Sequence, residues 1–326
     1  MRRRDLIKGI AGSAAAWPLA AHAQQSTKSV IGALQIGSAS SYDLSGFRLG
    51  LGDKGYVEGQ NLEIEYRFAD DNETHLPELA SDLVRHQVRV IATMGSALAA
   101  RAAKDVTNAI PIVFGFGADP VKLGLVTSLN RPGGNVTGVV SLSNELFGKQ
   151  VGMLHDLLPQ ALRFGVLTTP RSVNNETIVR DTQAAASRLG LEVEILDVRN
   201  SADIDAVFVR LHDENCLQGL LVTNDPLFIA RRIQLAILAA RFAVPTIYPF
   251  RPQTEAGGLM SYGPDLADRD RESGRYVGRI LNGENPANLP VEQVNKFELV
   301  INVATAKALG LTFPTSMQSL ADSVIE

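Results

Sequence analysis

Phe116-Gly117-Ala118-Asp119-Pro120 and Val222-Thr223-Asn224-Asp225-Pro226 are two distant stretches built to one pattern. In each, an apolar run gives way to small or polar residues and then to Asp-Pro. Asp is a favoured helix N-cap because its carboxylate accepts the N–H groups left unpaired at a helix start. Pro suits the first helical turn, where no N–H is needed. Each stretch therefore reads as a strand handing over to a helix. Its recurrence implies two successive units of similar order, with their strand ends facing one another.

The flanking sequence repeats the pattern. Around the first stretch, Val30-Ile36, Asn61-Phe68, Val88-Met94, Pro111-Phe116 and Asn135-Leu142 read as strands. Gly46-Lys54, Leu76-His86, Ser96-Val106 and a segment from about Pro120 to Leu129 read as helices between them. Around the second, helices Glu145-Leu158, Glu176-Leu189, Ala202-Asn215 and Leu227-Phe242 alternate with strands Phe164-Leu167, Glu192-Val198, Gly219-Val222 and Thr246-Tyr248. The tail departs from this order: strand Gly258-Tyr262, helix Leu266-Leu281, a turn-rich stretch, strand Phe297-Ile301 and helix Ala304-Leu309. Strands separated by helices imply parallel sheets. Nearly continuous apolar strands imply that both sheet faces are covered. The expected fold is α/β, with two Rossmann-like parallel-sheet lobes joined by a multi-strand hinge. The expected division is residues 29–142 plus about 258–290 for the first lobe, and 143–257 plus about 291–326 for the second.

The first residues read as an export signal. Arg3 and Arg4, with Arg2 before them, a spacer Asp5, then Leu6, Ile7 and Lys8, form a twin-arginine pattern. A mildly apolar run to Ala21 follows, and Ala21-His22-Ala23 is a small-x-small cleavage site. Cleavage after Ala23 leaves 303 of the 326 residues. The removed part carries four basic groups and one acidic group, so a chain of net charge −4 becomes one of −7. An acidic chain of this kind is ill suited to nucleic acid. The single cysteine, Cys216, lies far from the cleavage site, so the signal supplies no lipid anchor and the chain has no internal disulfide. No later apolar run reaches the ~20 residues of a membrane-spanning helix.

Catalytic signatures are missing. Gly50-Leu51-Gly52-Asp53-Lys54-Gly55 fits G-x-G-x-x-G, but it closes a helix instead of opening one, which is the wrong context for a dinucleotide. There is no P-loop, metal-binding HExxH or G-x-S-x-G elbow. His75, His86, His155 and His212 read as surface residues of helices. No enzyme activity and no cofactor or metal is expected.

A binding site is expected instead. Ligands of open α/β sheets lie beyond the carboxyl ends of strands, where helix starts present free N–H groups. Those ends supply Ser38, Tyr42, Ser96, Ala97, Phe116, Asp119, Asn174, Asn175, Asn224, Asp225, Tyr248 and Tyr262. Gly95-Ser96 opening a helix can hold a ligand carboxylate. Asp119 or Asp225 can receive an ammonium group, and the aromatic rings can cover an apolar side chain. Ser96 and Asp119 are equally suited to be helix caps only, and the rings to be packing; for Asp225 the cap-only reading is weaker, because Asn224 adds a second polar group.

Several stretches resemble a known family. They include Gly55-Tyr56-Val57-Glu58-Gly59, Ile110-Pro111-Ile112-Val113-Phe114, Asp119-Pro120-Val121 and Arg131-Pro132-Gly133-Gly134-Asn135-Val136-Thr137-Gly138. Further ones are Glu255-Ala256-Gly257-Gly258-Leu259-Met260-Ser261-Tyr262-Gly263 and Lys296-Phe297-Glu298-Leu299-Val300-Ile301-Asn302. Over nearly its whole length the chain is similar to ABC transporter substrate-binding proteins of the tryptophan/tyrosine-binding type, with the type I periplasmic-binding-protein fold. The resemblance implies a monomeric periplasmic receptor that closes on a small-molecule ligand and hands it to an ABC permease with its ATPase. It places Ser96, Asp119, Asn174 and Asp225 in the cleft loops. The same fold also serves sensors that report a solute to a membrane signalling receptor. Arg171 stands where relatives often carry a small or neutral residue: it is either a carboxylate clamp or a surface charge.

Overall fold

A computed structural model describes residues 28–39, 43–141, 146–170, 172, 175–214 and 217–326. The export signal with its cleavage point after Ala23, Tyr42, Arg171, Asn174 and Cys216 lie outside the described residues.

The first half of the chain sets strands β1 (Ser29–Gln35), β2 (Leu62–Phe68), β3 (Ile91–Met94), β4 (Ile112–Phe116) and β5 (Val136–Val140) among helices α1 (Ser45–Gly52), α2 (Leu76–Arg85) and α3 (Ala97–Val106). The second half runs through α4 (Phe147–Leu157), β6 (Arg163–Thr168), α5 (Asn175–Arg188), β7 (Glu192–Asp197), α6 (Ser201–Glu214) and β8 (Gly219–Val222). It continues with α7 (Pro226–Ala230), α8 (Arg232–Arg241), β9 (Thr246–Tyr248), α9 (Arg251–Glu255) and β10 (Met260–Pro264). The tail adds α10 (Leu266–Leu281), β11 (Glu292–Gln293), β12 (Phe297–Asn302), α11 (Val303–Ala308), α12 (Thr315–Leu320) and β13 (Ser323–Ile325).

These strands form two sheets, one lobe each. The six-stranded sheet is ordered β11-β5-β4-β3-β1-β2, and the seven-stranded sheet β13-β12-β10-β9-β8-β6-β7. The first is parallel throughout. In the second, β12 runs antiparallel to β10 and the other pairings are parallel. Numbered within its own lobe, each set of five successive strands has the order 2-1-3-4-5. That doubly wound order places a crevice where the winding reverses, next to the first strand of each lobe. On the other side of each first strand the registers are long: β1 pairs with β2 from Ser29–Leu62 to Gln35–Phe68, and β6 with β7 from Arg163–Glu192 to Thr168–Asp197.

Alternation along the strands divides the cores. Ile112, Phe114 and Phe116 of β4 pack with α2 and α3, whereas Val113 faces α1 and α10. Phe164 and Val166 of β6 pack with α4 and α5, and Leu167 joins the core of α6 and α8. Each such side chain contributes roughly 1.5–3 kcal/mol when buried, so both sheets are fixed from both faces.

The chain crosses between lobes more than once, and one crossing differs from expectation. The sequence pattern places the stretch from about 258 in the first lobe, but β10 hydrogen-bonds to β9 and β12 in the second sheet. The return begins at α10, which packs along α1 and behind β4 and β5. The packing of these two helices explains the glycine pattern in α1. A Cβ on Gly50 would collide with the Arg271 carbonyl, and one on Gly274 with that of Phe47. Gly50-Leu51 is thus part of a helix–helix contact, and Gly52 faces away from it.

Two expected helices change as well. The segment from Pro120 makes one turn and stops: Leu125 N–H donates to the Pro120 carbonyl at 2.9 Å, and Gly124 takes φ +66°. That left-handed residue turns the chain out of the helical path. The expected helix Leu227–Phe242 breaks at Arg231, at φ −97° and ψ 20°, into α7 and α8. No helix among the described residues is long and apolar enough to cross a membrane.

Candidate functional site

The carboxyl ends of the two sheets face each other across a cavity of about 120 Å³. That is room for a small solute, on a scale where one water needs ~10–15 Å³. The first lobe supplies Ile36 after β1, Asp71 and Glu73 after β2, Gly95 to Leu98 after β3, and Phe116 to Ala118 after β4. The second supplies Ser172 after β6 and Asn224 to Leu227 after β8. Both crevices predicted by strand order therefore open into one space.

Gly95 creates the approach on the first lobe. Its φ of +78° is open to glycine at little cost, and its N–H donates to the Gly115 carbonyl at 2.7 Å. This turn delivers Ser96 to the start of α3, where its hydroxyl accepts the Ala99 N–H at 3.3 Å. Ser96 is thus the cap and also lines the cavity. The N–H groups at the start of α3, with the positive end of its dipole, make this corner receptive to an anion. Beside it the Phe116 ring stacks on Phe114 with centroids 4.6 Å apart, which fixes an apolar wall.

The opposite wall is acidic. Asp225 caps α7 through Oδ1, which accepts the Leu227 N–H at 3.0 Å. Its Oδ2 accepts the Thr169 hydroxyl at 2.6 Å. These bonds set the carboxylate's orientation at the cavity edge. Asp71 and Glu73 add negative charge from the other lobe. The ionisable groups among the described residues lining the cavity are these three carboxylates. With an anion-receptive corner and acidic walls in one small space, the site matches a zwitterion bearing an apolar group.

Of the residues read from the sequence, Ser96, Ala97, Phe116, Asn224 and Asp225 meet at this cavity. Ser38 lies at the same sheet edge, just past Ile36, and is half-buried. Asp119 turns inward to its own loop, its Oδ1 accepting the Val121 and Lys122 N–H groups at 2.9 and 3.2 Å. Asn175 starts α5 and accepts the Thr168 hydroxyl, tying β6 to that helix. Tyr248 is a correction: its ring is wholly buried among Val222, Phe228 and Leu235 in the second lobe's core. Tyr262 is another. Its ring lies 6.5 Å from that of Phe297, beneath the Lys149 ammonium and away from the cavity.

Ile36, Asp71, Glu73 and Leu98 were not among the sequence candidates. The signal for Asp71 was present, since Asp70-Asp71-Asn72 follows β2 and the rule of strand ends applies to it too. A wider groove of about 540 Å³ lies beside the crossing at Asp265–Leu266. Its principal charges are already paired: Arg251 with Glu298 at 2.9 Å and Asp265 with Lys296 at 2.8 Å.

Residues 30–325 match the family described as ABC transporter substrate binding protein. The chain belongs to this family. Within it, the chain is 28% identical over 283 residues to a tyrosine-binding protein of Clostridioides difficile, covering 86% of this chain and 81% of that protein. Among solved structures it is similar to an ABC domain from Streptococcus pneumonia in complex with L-Trp: 26% identity, 91% and 100% coverage, TM-score 0.82. The ligand-free, open structure of a Clostridium difficile substrate-binding protein with adhesive properties is 25% identical, with 91% and 99% coverage and TM-score 0.64. The fold of this substrate-binding protein is the two-lobed type I fold, and its cavity lies between the lobes.

Proposed function

We propose that the protein is the extracytoplasmic binding component of an ABC importer and closes its lobes on an amino acid with an aromatic or other apolar side chain. The observation that carries this reading is the make-up of the interlobe cavity: the start of α3 at Ser96 and Ala97, carboxylates at Asp225, Asp71 and Glu73, and apolar Ile36, Leu98 and Phe116. In this reading the ligand carboxylate meets the N–H groups of α3 and its ammonium meets Asp225. Its side chain lies against Phe116. No bond of the ligand is made or broken. The L-Trp complex and the tyrosine-binding relative support the ligand class. The family description supports an ABC permease and ATPase as partners.

The direct test is a thermal-shift screen of residues 24–326 against amino acids, aromatic acids, nucleosides and sugars. A ligand at a hundred times its Kd stabilises the folded form by about 2.7 kcal/mol, which is a shift of several degrees. L-Tryptophan or L-tyrosine is expected to give it. A shift with sugars or nucleosides and none with amino acids overturns the ligand class. Export is tested separately. Protein recovered from outside the cytoplasmic membrane is expected to begin at Gln24, and Arg3→Lys with Arg4→Lys is expected to hold it inside.

A further inference from the structure

Asp71 and Arg231 face each other from different lobes. The Arg231 guanidinium lies 3.7 Å from Asp71 Oδ2, and the side chains are 43% and 31% exposed, respectively. Neither position is casual. Asp70 and Asp71 both hold left-handed backbone angles, φ 50° and 63°, which are unfavourable for residues other than glycine although Asp tolerates them better than most. The turn is pinned by hydrogen bonds to the end of β1: Ala69 N–H to the Gln35 carbonyl at 3.0 Å and Asp71 N–H to that of Ile36 at 2.8 Å. Arg231 occupies the break between α7 and α8, directly after the helix that Asp225 caps at the cavity. The sequence alone predicts a continuous helix there, and the break sets where Arg231 leaves the helix.

The arrangement of the lobes bears on what this pair does. The two family structures compared above have nearly equal identity and coverage, yet the TM-score is 0.82 to the L-Trp complex and 0.64 to the open form. A whole-chain score drops when lobes rotate as units, so the present arrangement is nearer to that of the L-Trp complex than to the open one. The ion pair belongs to that arrangement.

We propose that Asp71 and Arg231 form an electrostatic clasp across the cleft, which biases the lobes toward closure before a ligand arrives. The proposal rests on the reading that the lobes close on a solute, but not on which solute. A partly exposed pair changes the closed-to-open ratio by about two- to five-fold. The effect is sensitive to salt, because the Debye length falls from ~10 Å at 0.1 M to ~3 Å at 1 M.

The test is a pulsed dipolar distance measurement on ligand-free protein, with spin labels at Glu78→Cys on α2 and Ser187→Cys on α5 in a Cys216→Ser background. At low salt, Arg231→Gln and Asp71→Asn are each expected to lower the population at the shorter, closed separation by about two- to five-fold. The double variant is expected to go no further than either single one, and about 1 M salt to erase the difference from the parent. An unchanged distribution in either single variant overturns the clasp. So does a double variant equal to the sum of two independent effects, or a parent insensitive to salt. The readout needs no ligand, so a screen in which amino acids fail to bind leaves this result standing.

Discussion

Asp225 and Asp119 share a sequence setting, but only the first stands at the cavity. The carboxylate of Asp225 is oriented by Leu227 and Thr169, so Asp225→Asn keeps much of the capping geometry and removes the charge. A hydrogen bond to a charged group is worth about 1.5–3 kcal/mol. Calorimetric titration with the amino acid found by thermal shift is therefore expected to show affinity at least roughly ten-fold weaker. Asp119→Ala is expected to do the reverse, costing about 1 kcal/mol of stability through its lost turn bonds and leaving Kd unchanged. Denaturant melts and titrations of both variants check the pair. Sequence could not separate these two residues, because an Asx turn and a helix cap use the same carboxylate-to-N–H bond. The aromatic candidates divided for a related reason. Phe116 and Tyr248 both end strands and Tyr262 sits within β10, yet only Phe116 reaches the cavity, because whether a ring faces the cleft or the core depends on packing between elements, which local pattern does not encode.

At the scale of elements, α1 and α10 are the contact most exposed to single substitutions. Gly46, Gly50 and Gly274 leave room only for the opposing backbone. Gly50→Ala adds one methyl group against the Arg271 carbonyl, and overpacking of this kind costs about 1–3 kcal/mol. A fall in melting temperature of several degrees is expected, whereas Gly52→Ala, whose Cβ would meet nothing within 4 Å, is expected to be neutral or stabilising. Most elements were legible from the residues. The strands announced themselves as apolar runs bounded by turns, and α10 by its long amphipathic pattern. The elements that were missed are short ones: β11, α9, α12 and β13. A two- or three-residue strand is held by its neighbour's hydrogen bonds and carries almost no periodicity of its own. The early return assigned to residue 258 failed similarly, since nothing in Met260–Pro264 states which sheet it will join.

For the whole molecule, sensitivity to acid follows from ion pairs along the helices. Hydrogen bonds from Arg271 and then Arg275 hold the Asp53 carboxyl at about 2, below its ordinary 3.8. Asp82 is lowered by Arg67 and Arg85, and Glu284 by Arg279. A carboxylate with a depressed folded pKa stabilises the fold above its unfolded pKa and loses that contribution as pH falls through the folded value. The melting temperature is therefore expected to drop as pH falls from about 4 to about 2, and to drop less steeply in Asp53→Asn. The path of the chain has a consequence for synthesis. The first lobe takes α10 and β11 from residues 266–293, and the second takes β12 and β13 from residues beyond 296. On a ribosome delivering the chain from its amino end, neither lobe can finish until almost the whole polypeptide has emerged. The bare glycine face of α1 waits for a helix made some two hundred residues later.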